Sequence, residues 1–423
     1  MNNLGIPEHE VKLHNILKDM GTPIKKVNAY NGWDPLKQVI LGNCFNPSFF
    51  EDVKDPKVRH LLQKLLYETQ EDLDNFQKEM ELAGVDVVRI PENVMQSGYY
   101  AETVGDAMDH HSRNGGIPRP MITPRDMFIT LGKELVYSHF APRMGSIVYD
   151  LMEDKSAFNC NVMMEFFKSK FMSPIGVNPC TPENLHLLPL GNFPSTQGTE
   201  KTADFEDMDG RCLDSYFFDA PFFTRVGDTI VVDEEDKRNF SKWTLKNFPH
   251  FKQAHIGIGG HNDGTFCPLK PGHIVTAGWH VDYSDTFPGW DVHVVTNDYD
   301  SREDIYNRRH EDFEIIRDEK RHIDRAWWSP DAKECPEFSA FISKWLKHWT
   351  GWSIESIFEV NALVINPELV FFSNYNKGVF DYCESIGITP HIVPFRHRHF
   401  WDGGLHCLTL DVYREGGMQN YFE

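Results

Sequence analysis

Apolar residues in this chain recur in short β-type runs that come in pairs. The two runs of each pair are joined by Gly, Asn-Pro or Pro-Gly. These residues favour turns that reverse the direction of the chain. Four such pairs lie far apart in the sequence, at 127–137, 223–232, 265–276 and 362–372. The pattern therefore predicts four β-hairpins distributed along an α/β chain.

Helical spacing of apolar residues occurs before two further β-runs. Residues 66–82 show this spacing and lead into an apolar run at 85–90, and residues 380–387 lead in the same way into 389–394. A strand–turn–strand–helix–strand unit used about five times predicts one closed domain, because each unit buries its apolar face only against its neighbours. The alternative is an ordinary α/β protein with many hairpins.

The ends of the chain fit a closed ring, and one internal region departs from the repeat. Residues 39–41 and 408–413 could be the first and last strands that close the ring. We expect a single domain over 1–423, with an N-terminal extension at 1–33 and a charged, helical insertion at about 300–352.

Within the predicted insertion, four aromatic residues follow helical spacing and share one face: Phe341, Trp345, Trp349 and Trp352. We interpret this face as a packing surface.

The charge balance narrows the range of partners. Lys and Arg total 42 against 63 Asp and Glu, so the formal net charge is −21. Such a charge argues against nucleic acid and anionic membranes as main partners, and it suits a cationic ligand.

Cysteine usage and the N-terminus favour a cytoplasmic protein. The eight cysteines are scattered without a CxxC pair, which is typical of reduced thiols. The first residues lack the features of a signal or transit peptide, and no apolar run reaches the length of a membrane span.

Cys407 is the most informative residue for chemistry. It follows Gly403-Gly404 at the start of an apolar run, so its thiol is presented by a turn. Nearby Arg396 and Arg398 are expected to favour the thiolate, which is the nucleophilic form of cysteine. A buried, unreactive cysteine is the competing interpretation.

Three other segments place polar residues at the starts of the predicted hairpins. Asp126, Asp219 and His261 with Asp263 precede the hairpins at 127, 223 and 265, respectively. Equivalent strand ends converge on one face of a ring, so these side chains could meet Cys407. Taken singly, each Asp is better explained as a turn or capping residue, and only their joint occurrence favours a functional site.

One thiol, one imidazole and three carboxylates suit a guanidinium substrate. Carboxylates at Asp126 and Asp263 could hold its N–H groups through charge-assisted hydrogen bonds, each contributing about 1.5–3 kcal/mol. His261 could transfer protons to and from the reacting amines, and Asp219 could orient that imidazole.

These motifs resemble those of the amidinotransferase family, and in particular its arginine:glycine type. The matching segments are Pro124-Arg125-Asp126, Phe218-Asp219-Ala220, His261-x-Asp263-x-Thr265-Phe266 and Gly403-Gly404-Leu405-His406-Cys407, in the same order from about residue 34 to the end. The resemblance implies a five-bladed pseudosymmetric α/β propeller of ββαβ modules.

The resemblance also implies a ping-pong reaction with no metal or organic cofactor. Cys407 would be the nucleophile, His261 the general acid and base, Asp219 its partner, and Asp126 with Asp263 the guanidinium ligands. Arginine would give its amidino group to an acceptor amine and leave as ornithine. Family members are often homodimers, although the sequence carries no interface signature.

The chain differs from the family pattern where the carboxylate of the donor is bound. An Arg in the family has no counterpart at 274–284, where His280 lies nearest, and a paired serine site is replaced by Ile354-Glu355. Arg396 or Arg398 could supply anion contacts instead.

Two other functions stay open from the residues alone. A guanidino hydrolase, such as an arginine deiminase or dihydrolase, would use the same site with water in place of the acceptor amine. A zinc-binding or purely structural module is the third interpretation, but the histidines near Cys407 do not follow the spacing of a tetrahedral zinc site.

Overall fold

Fifteen short strands and nine α-helices are formed by the residues that the computed structural model describes. These residues are 8–98, 102–111, 117, 119–137, 142–160, 220–233, 247–258, 260–277, 281–295, 335–346, 349–350 and 360–422. The strands are β1 (Leu36–Leu41), β2 (Asp86–Arg89), β3 (Phe128–Leu131), β4 (Glu134–Tyr137), β5 (Phe158–Asn159), β6 (Phe223–Val226), β7 (Thr229–Asp233), β8 (Lys252–Ile256), β9 (Phe266–Lys270), β10 (His273–Thr276), β11 (Asp291–Val294), β12 (Leu363–Asn366), β13 (Leu369–Phe372), β14 (Thr389–Ile392) and β15 (Thr409–Arg414). The helices are α1 (Glu8–Met20), α2 (Pro56–Leu82), α3 (Glu92–Gly98), α4 (Val104–His111), α5 (Pro142–Asp150), α6 (Asn262–Thr265), α7 (Pro336–Trp345), α8 (Lys377–Ser385) and α9 (Arg398–Trp401).

All four predicted hairpins are present, as β3–β4, β6–β7, β9–β10 and β12–β13. Three of the turns contain Gly132 (φ 60°), Gly227 (φ 71°) and Gly272 (φ 84°), all in the left-handed region that favours glycine. The fourth turn uses Asn366, whose Oδ1 accepts the N–H of Glu368 at 2.8 Å. Local turn chemistry therefore fixes each hairpin.

Every hairpin gains a third strand that runs parallel to its second strand. The resulting sheets have the orders β3-β4-β5, β6-β7-β8, β9-β10-β11 and β12-β13-β14. In the fifth sheet, β15 pairs antiparallel with β1, and β2 pairs parallel with β1. The predicted closure of the ring by the first and last strands is confirmed, and the fold is the five-bladed α/β propeller.

Helix α2 is longer than the sequence pattern predicts, because it begins at Pro56 and not near residue 66. Asp55 caps its N-terminus by accepting the N–H groups of Lys57 and Val58. Apolar positions on one face are buried, including Leu62 and Leu66. The helix thus begins well before the predicted start, with a capping residue and with apolar positions such as Val58 on the same buried face.

The N-terminal extension crosses the ends of several sheets. Ile24 bridges to Met152, and Asn31 bridges to Val226. The backbone N–H of Asn28 donates to the oxygen of Val412 at 2.9 Å. Residues 24–31 therefore connect blades that are distant in the chain.

Much of the predicted insertion lies outside the described residues, including Trp352. Helix α7 ends at Trp345, and Trp349 lies beyond it. The Trp349 ring is buried and stacks on Trp401 with 5.5 Å between ring centroids. Its Nε1 donates to the oxygen of Ile117 at 3.0 Å. Trp349 therefore packs against the segment that precedes Cys407.

Candidate active site

Cys407 lies in a tight turn between α9 and β15. Asp402 has a left-handed backbone (φ 48°), and Gly403 and Gly404 follow it. A Cβ atom on Gly404 would lie 2.8 Å from three atoms of Asn361, which is closer than real Cβ contacts. The turn can therefore pack against Asn361 only because glycine occupies position 404.

The sulfur of Cys407 is buried between an amide and a carboxylate. Asn361 Nδ2 donates to Sγ at 2.9 Å, and Sγ donates to Oδ2 of Asp263 at 3.3 Å. The backbone N–H of Cys407 donates to Oδ1 of Asn361 at 3.0 Å. These contacts fix both the sulfur and its backbone.

The surroundings of Cys407 hold its thiol in the neutral form. Burial raises its pKa well above the usual range, and the charges of Asp263 and Asp126 raise it further. The expectation that Arg396 and Arg398 favour the thiolate is therefore wrong: negative charge, and not positive charge, surrounds the sulfur.

Asp263 is a charged carboxylate beside this sulfur. Its Oδ2 accepts a hydrogen bond from Nδ1 of His406 at 2.8 Å. Burial, the largest single effect, acts to raise the pKa of Asp263, but the hydrogen bond and charge of His406, together with the charges of His261 and Arg125, lower it to about 2. The other oxygen, Oδ1, is buried and has no hydrogen-bond partner among the described residues. Asp263 thus keeps an acceptor for an incoming donor group.

Asp126 is a second carboxylate of the same site. It ends the short 3-10 turn Pro124–Asp126, and its Oδ2 accepts the hydroxyl of Thr123 at 2.5 Å. Nη1 of Arg119 lies 3.8 Å from the same oxygen. Burial raises the pKa of Asp126, whereas nearby positive charge on His261 and Arg119 lowers it.

His261 precedes α6 as its N-cap residue. Its ring packs edge-to-face on Phe222, with 5.4 Å between ring centroids. A charge on His261 would lower the pKa of both Asp126 and Asp263. The imidazole and the two carboxylates therefore belong to one electrostatic site with Cys407.

Two predicted site residues, Asp219 and His280, lie outside the described residues. Asp219 is followed directly by the 3-10 turn Ala220–Phe222, whose last residue packs on His261. The roles of Asp219 and His280 stay predictions.

The structure does not place Arg396 in the site around Cys407. Its Nε lies 2.9 Å from Oδ1 of Asp72 and its Nη2 lies 2.8 Å from Oε2 of Glu71, both on α2. Glu68 on the same helix adds a longer ion pair at 3.7 Å. Carboxylates at positions 68, 71 and 72 share one helical face, and together they hold this guanidinium.

A buried ion network beneath the turn was not predicted from the sequence. Nε of Arg125 donates to the oxygen of His406 at 3.0 Å, and its Nη2 lies 2.7 Å from Oδ1 of Asp411. Arg225 and Arg414 also bind the carboxylate of Asp411. Arg125, from the Pro-Arg-Asp motif, therefore anchors the Cys407 turn to the inner strands.

A cavity borders the site along the axis of the propeller. Residues of the inner strands β3, β6, β9 and β12 line it, together with Asp263 and His406. Among the residues that the structure describes, no group of three or more His, Cys, Asp or Glu could hold a metal ion. In the same residues, no helix is long and apolar enough to cross a bilayer.

Known proteins with similar sequences are amidinotransferases. The chain is 21% identical to inosamine-phosphate amidinotransferase 1 of Streptomyces glaucescens over 419 residues, which cover 93% of this chain and 99% of that protein. It is 25% identical to the mitochondrial glycine amidinotransferase of Danio rerio, covering 94% and 85%. It is 19% identical to the L-arginine:L-lysine amidinotransferase of Pseudomonas savastanoi pv. phaseolicola, covering 93% and 96%. No protein-family model matches the chain.

Solved structures show the same fold. The inosamine-phosphate amidinotransferase of Streptomyces griseus superposes with a TM-score of 0.52 at 18% identity, covering 94% of this chain and 99% of that one. An amidinotransferase of the saxitoxin biosynthetic pathway from Microseira wollei has the same TM-score at 17% identity, with the same coverage. The chain is therefore similar to amidinotransferases over nearly its whole length, and it shares the fold of the solved ones.

Proposed function

We propose that this protein is an amidinotransferase that moves the amidino group of L-arginine, through a covalent adduct on Cys407, to an acceptor amine. One observation carries the proposal. A buried thiol lies 3.3 Å from a charged carboxylate, Asp263, whose second oxygen is still available as an acceptor. Negative charge beside a thiol opposes its ionisation, so this arrangement becomes useful when a cation binds there.

A guanidinium group fits the two carboxylates. Asp126 and Asp263 raise the pKa of the same sulfur, so both lie near the position of the reacting carbon. Each could accept N–H groups of a planar guanidinium, with about 1.5–3 kcal/mol for each charge-assisted bond. Binding would place the electrophilic carbon against Sγ and gain the benefit of fixed orientation.

Bound substrate would also activate the thiol. In the free site, burial and the charges of Asp263 and Asp126 keep Cys407 protonated. A guanidinium between the carboxylates neutralises their field, so the pKa of Cys407 would fall when the donor binds. The nucleophile would thereby be formed mainly in the presence of its substrate.

The reaction then proceeds in two balanced halves. The Cys407 thiol gives its proton to His261, and the sulfur bonds to the guanidinium carbon. The bond from this carbon to the side-chain nitrogen of arginine breaks, and His261 returns the proton to the leaving amine of ornithine. The acceptor amine next attacks the same carbon, loses a proton to His261 and releases the sulfur, which regains a proton. Asp219 would orient His261 and stabilise its charged form.

The names of the relatives indicate different acceptors: glycine, lysine and an inosamine phosphate. The acceptor of this chain is therefore a separate question from the donor. Because α2 engages Arg396, the predicted residues left for the carboxylate of arginine are His280 and Arg398.

Incubation with arginine, alone and with a panel of primary amines, tests the proposal. We expect repeated turnover to ornithine and a new guanidino compound in equal amounts only when an acceptor is present. Without an acceptor, no more than one ornithine per protein should be released. Citrulline formed without any added amine would identify a hydrolase instead. Cys407→Ala should abolish both products, whereas Cys383→Ala, which removes another buried free thiol on α8, should retain activity.

A further inference from the structure

Asn361 is fully buried, and its side-chain hydrogen bonds go to two residues of the candidate site, Cys407 and Asp263. It lies two residues before β12. Its Nδ2 is 2.9 Å from Sγ of Cys407 and 3.0 Å from the backbone oxygen of Asp263. Its Oδ1 is 3.0 Å from the backbone nitrogen of Cys407. The side chain thus connects the nucleophile turn to the segment that carries Asp263.

The chemistry of the neighbours fixes the orientation of this amide. The backbone N–H of Cys407 can only donate, so the oxygen of Asn361 must face it. The carbonyl oxygen of Asp263 can only accept, so the NH₂ group must face that oxygen and the sulfur. An N–H group is therefore directed at the sulfur, whichever protonation state Cys407 has.

We propose that Asn361 is a positioning residue of the reaction, whose carboxamide N–H holds the sulfur of Cys407 and stabilises its negative charge when the proton is lost. This inference rests on the proposed role of Cys407. Within the described part of the chain, no other N–H donates to this sulfur. The opposite neighbour, Asp263, accepts from the thiol and repels the thiolate. Asn361 is thus the described contact that becomes stronger as the charge forms.

The packing of the turn supports the same assignment. Position 404 must be glycine because a Cβ atom there would overlap the backbone oxygen and side chain of Asn361. The turn approaches this amide as closely as the backbone allows. A purely structural anchor needs only the contact between Oδ1 and the Cys407 N–H, and the N–H directed at the sulfur is additional to that anchor.

The substitution Asn361→Asp separates the two roles. One carboxyl oxygen can still accept the Cys407 N–H, whereas the donor that faces the sulfur is replaced by an oxygen. Asn361→Ala removes both contacts and serves as the second variant. Asn43→Ala is the matched control, because Asn43 is a buried asparagine whose amide contacts Ile90 and Arg89 and not the site.

The readout is the pH dependence of Cys407 alkylation by iodoacetamide, followed by peptide mapping that separates this thiol from the other cysteines. Loss of a hydrogen bond to a charged group should raise the thiol pKa by about one to two units. We expect this rise in Asn361→Asp and Asn361→Ala but not in Asn43→Ala. The alkaline shift should also appear in the pH profile of kcat/KM.

A folded Asn361→Asp variant with the alkylation profile of the unmodified protein would overturn the inference, and so would equal shifts in Asn43→Ala. Alkylation does not require turnover, so the two proposals can fail separately. If the substitutions raise the pKa of Cys407 but the unmodified protein transfers no amidino group, only the proposed function is contradicted. If the unmodified protein transfers the amidino group but the Asn361 substitutions leave the pKa of Cys407 unchanged, only the role of Asn361 is contradicted.

Discussion

At the scale of single residues, the surroundings of Cys407 disfavour its thiolate. Burial raises the pKa of Cys407, and Asp263 and Asp126 raise it further. The pKa of Asp263 is lowered to about 2, so this carboxylate is charged at neutral pH. In the proposed mechanism the carboxylates therefore have two opposite effects. They suppress the thiolate of the free site, and they bind the guanidinium group whose charge would permit the thiolate to form.

Asp126→Asn should separate these two effects. Removing the charge lowers the pKa of Cys407, so alkylation of the free enzyme at a given pH should become faster. Loss of one charge-assisted hydrogen bond should lower kcat/KM for arginine by about 10- to 100-fold. Asp381→Asn, in an exposed ion pair with Lys377, is the control and should change neither quantity. Slower alkylation together with unchanged kcat/KM would contradict this description of the site.

The sequence predicted some site residues better than others for physical reasons. Cys407, His261, Asp126 and Asp263 occur in short motifs at strand ends, and a ring of repeats brings strand ends together. Asn361 gave no signal, because a single Asn before an apolar strand is indistinguishable from a turn residue. Arg396 was predicted from proximity in sequence, but carboxylates 68–72, distant in the chain, determine its contacts.

At the scale of elements, the carboxylate of Asp411 connects strands of different sheets. Asp411 on β15 binds Arg225 on β6, Arg414 on β15 and Arg125, which precedes β3. Burial acts to raise the pKa of Asp411, but the three guanidinium groups hold it well below the usual range. The network therefore depends on a charged carboxylate within the ring.

Asp411→Asn should lower the free energy of unfolding by about 3–5 kcal/mol, because it leaves buried guanidinium groups uncompensated. A group whose pKa is depressed by folding stabilises the protein above its unfolded pKa and loses that contribution as the pH falls through the folded value. Unfolding by denaturant at several pH values should show a decline below about pH 4. The variant should lack the part of this slope that Asp411 contributes. Equal stability of the two proteins at neutral pH would contradict the role of the network.

The same scale shows what hydrophobic patterning can predict. The hairpins were predicted because their turns contain Gly or Asn-Pro and their apolar runs are short. The start of α2 was missed although the sequence carries its signals: Asp55 caps the helix, Pro56 occupies its first position, and Val58 continues the apolar face. The third strand of each sheet, such as β5 with Phe158–Asn159, can be too short to stand out from a loop.

At the scale of the whole molecule, the charge of −21 provides a field that attracts cations. Ring closure by β1 and β15 places the Cys407 turn next to the first and last strands of the chain. A cationic donor should therefore reach the site faster than a neutral reagent of similar size.

Salt dependence measures this contribution. We expect kcat/KM for arginine to fall as NaCl rises, because the Debye length shortens to about 8 Å near physiological ionic strength. Alkylation of Cys407 by neutral iodoacetamide, measured at a pH where the thiol is ionised, should change much less. If both rates responded equally to salt, long-range attraction of the donor would be excluded.

The proposed transfer through Cys407 is tested most directly by trapping the covalent adduct. The protein is mixed briefly with arginine without an acceptor, quenched in acid, digested and mapped by mass spectrometry. We predict one added amidino group on the peptide that contains Cys407, its loss when an acceptor amine is added before the quench, and its absence in Cys407→Ala. Turnover without this adduct, or an adduct on another residue, would contradict the proposal that Cys407 carries the amidino group.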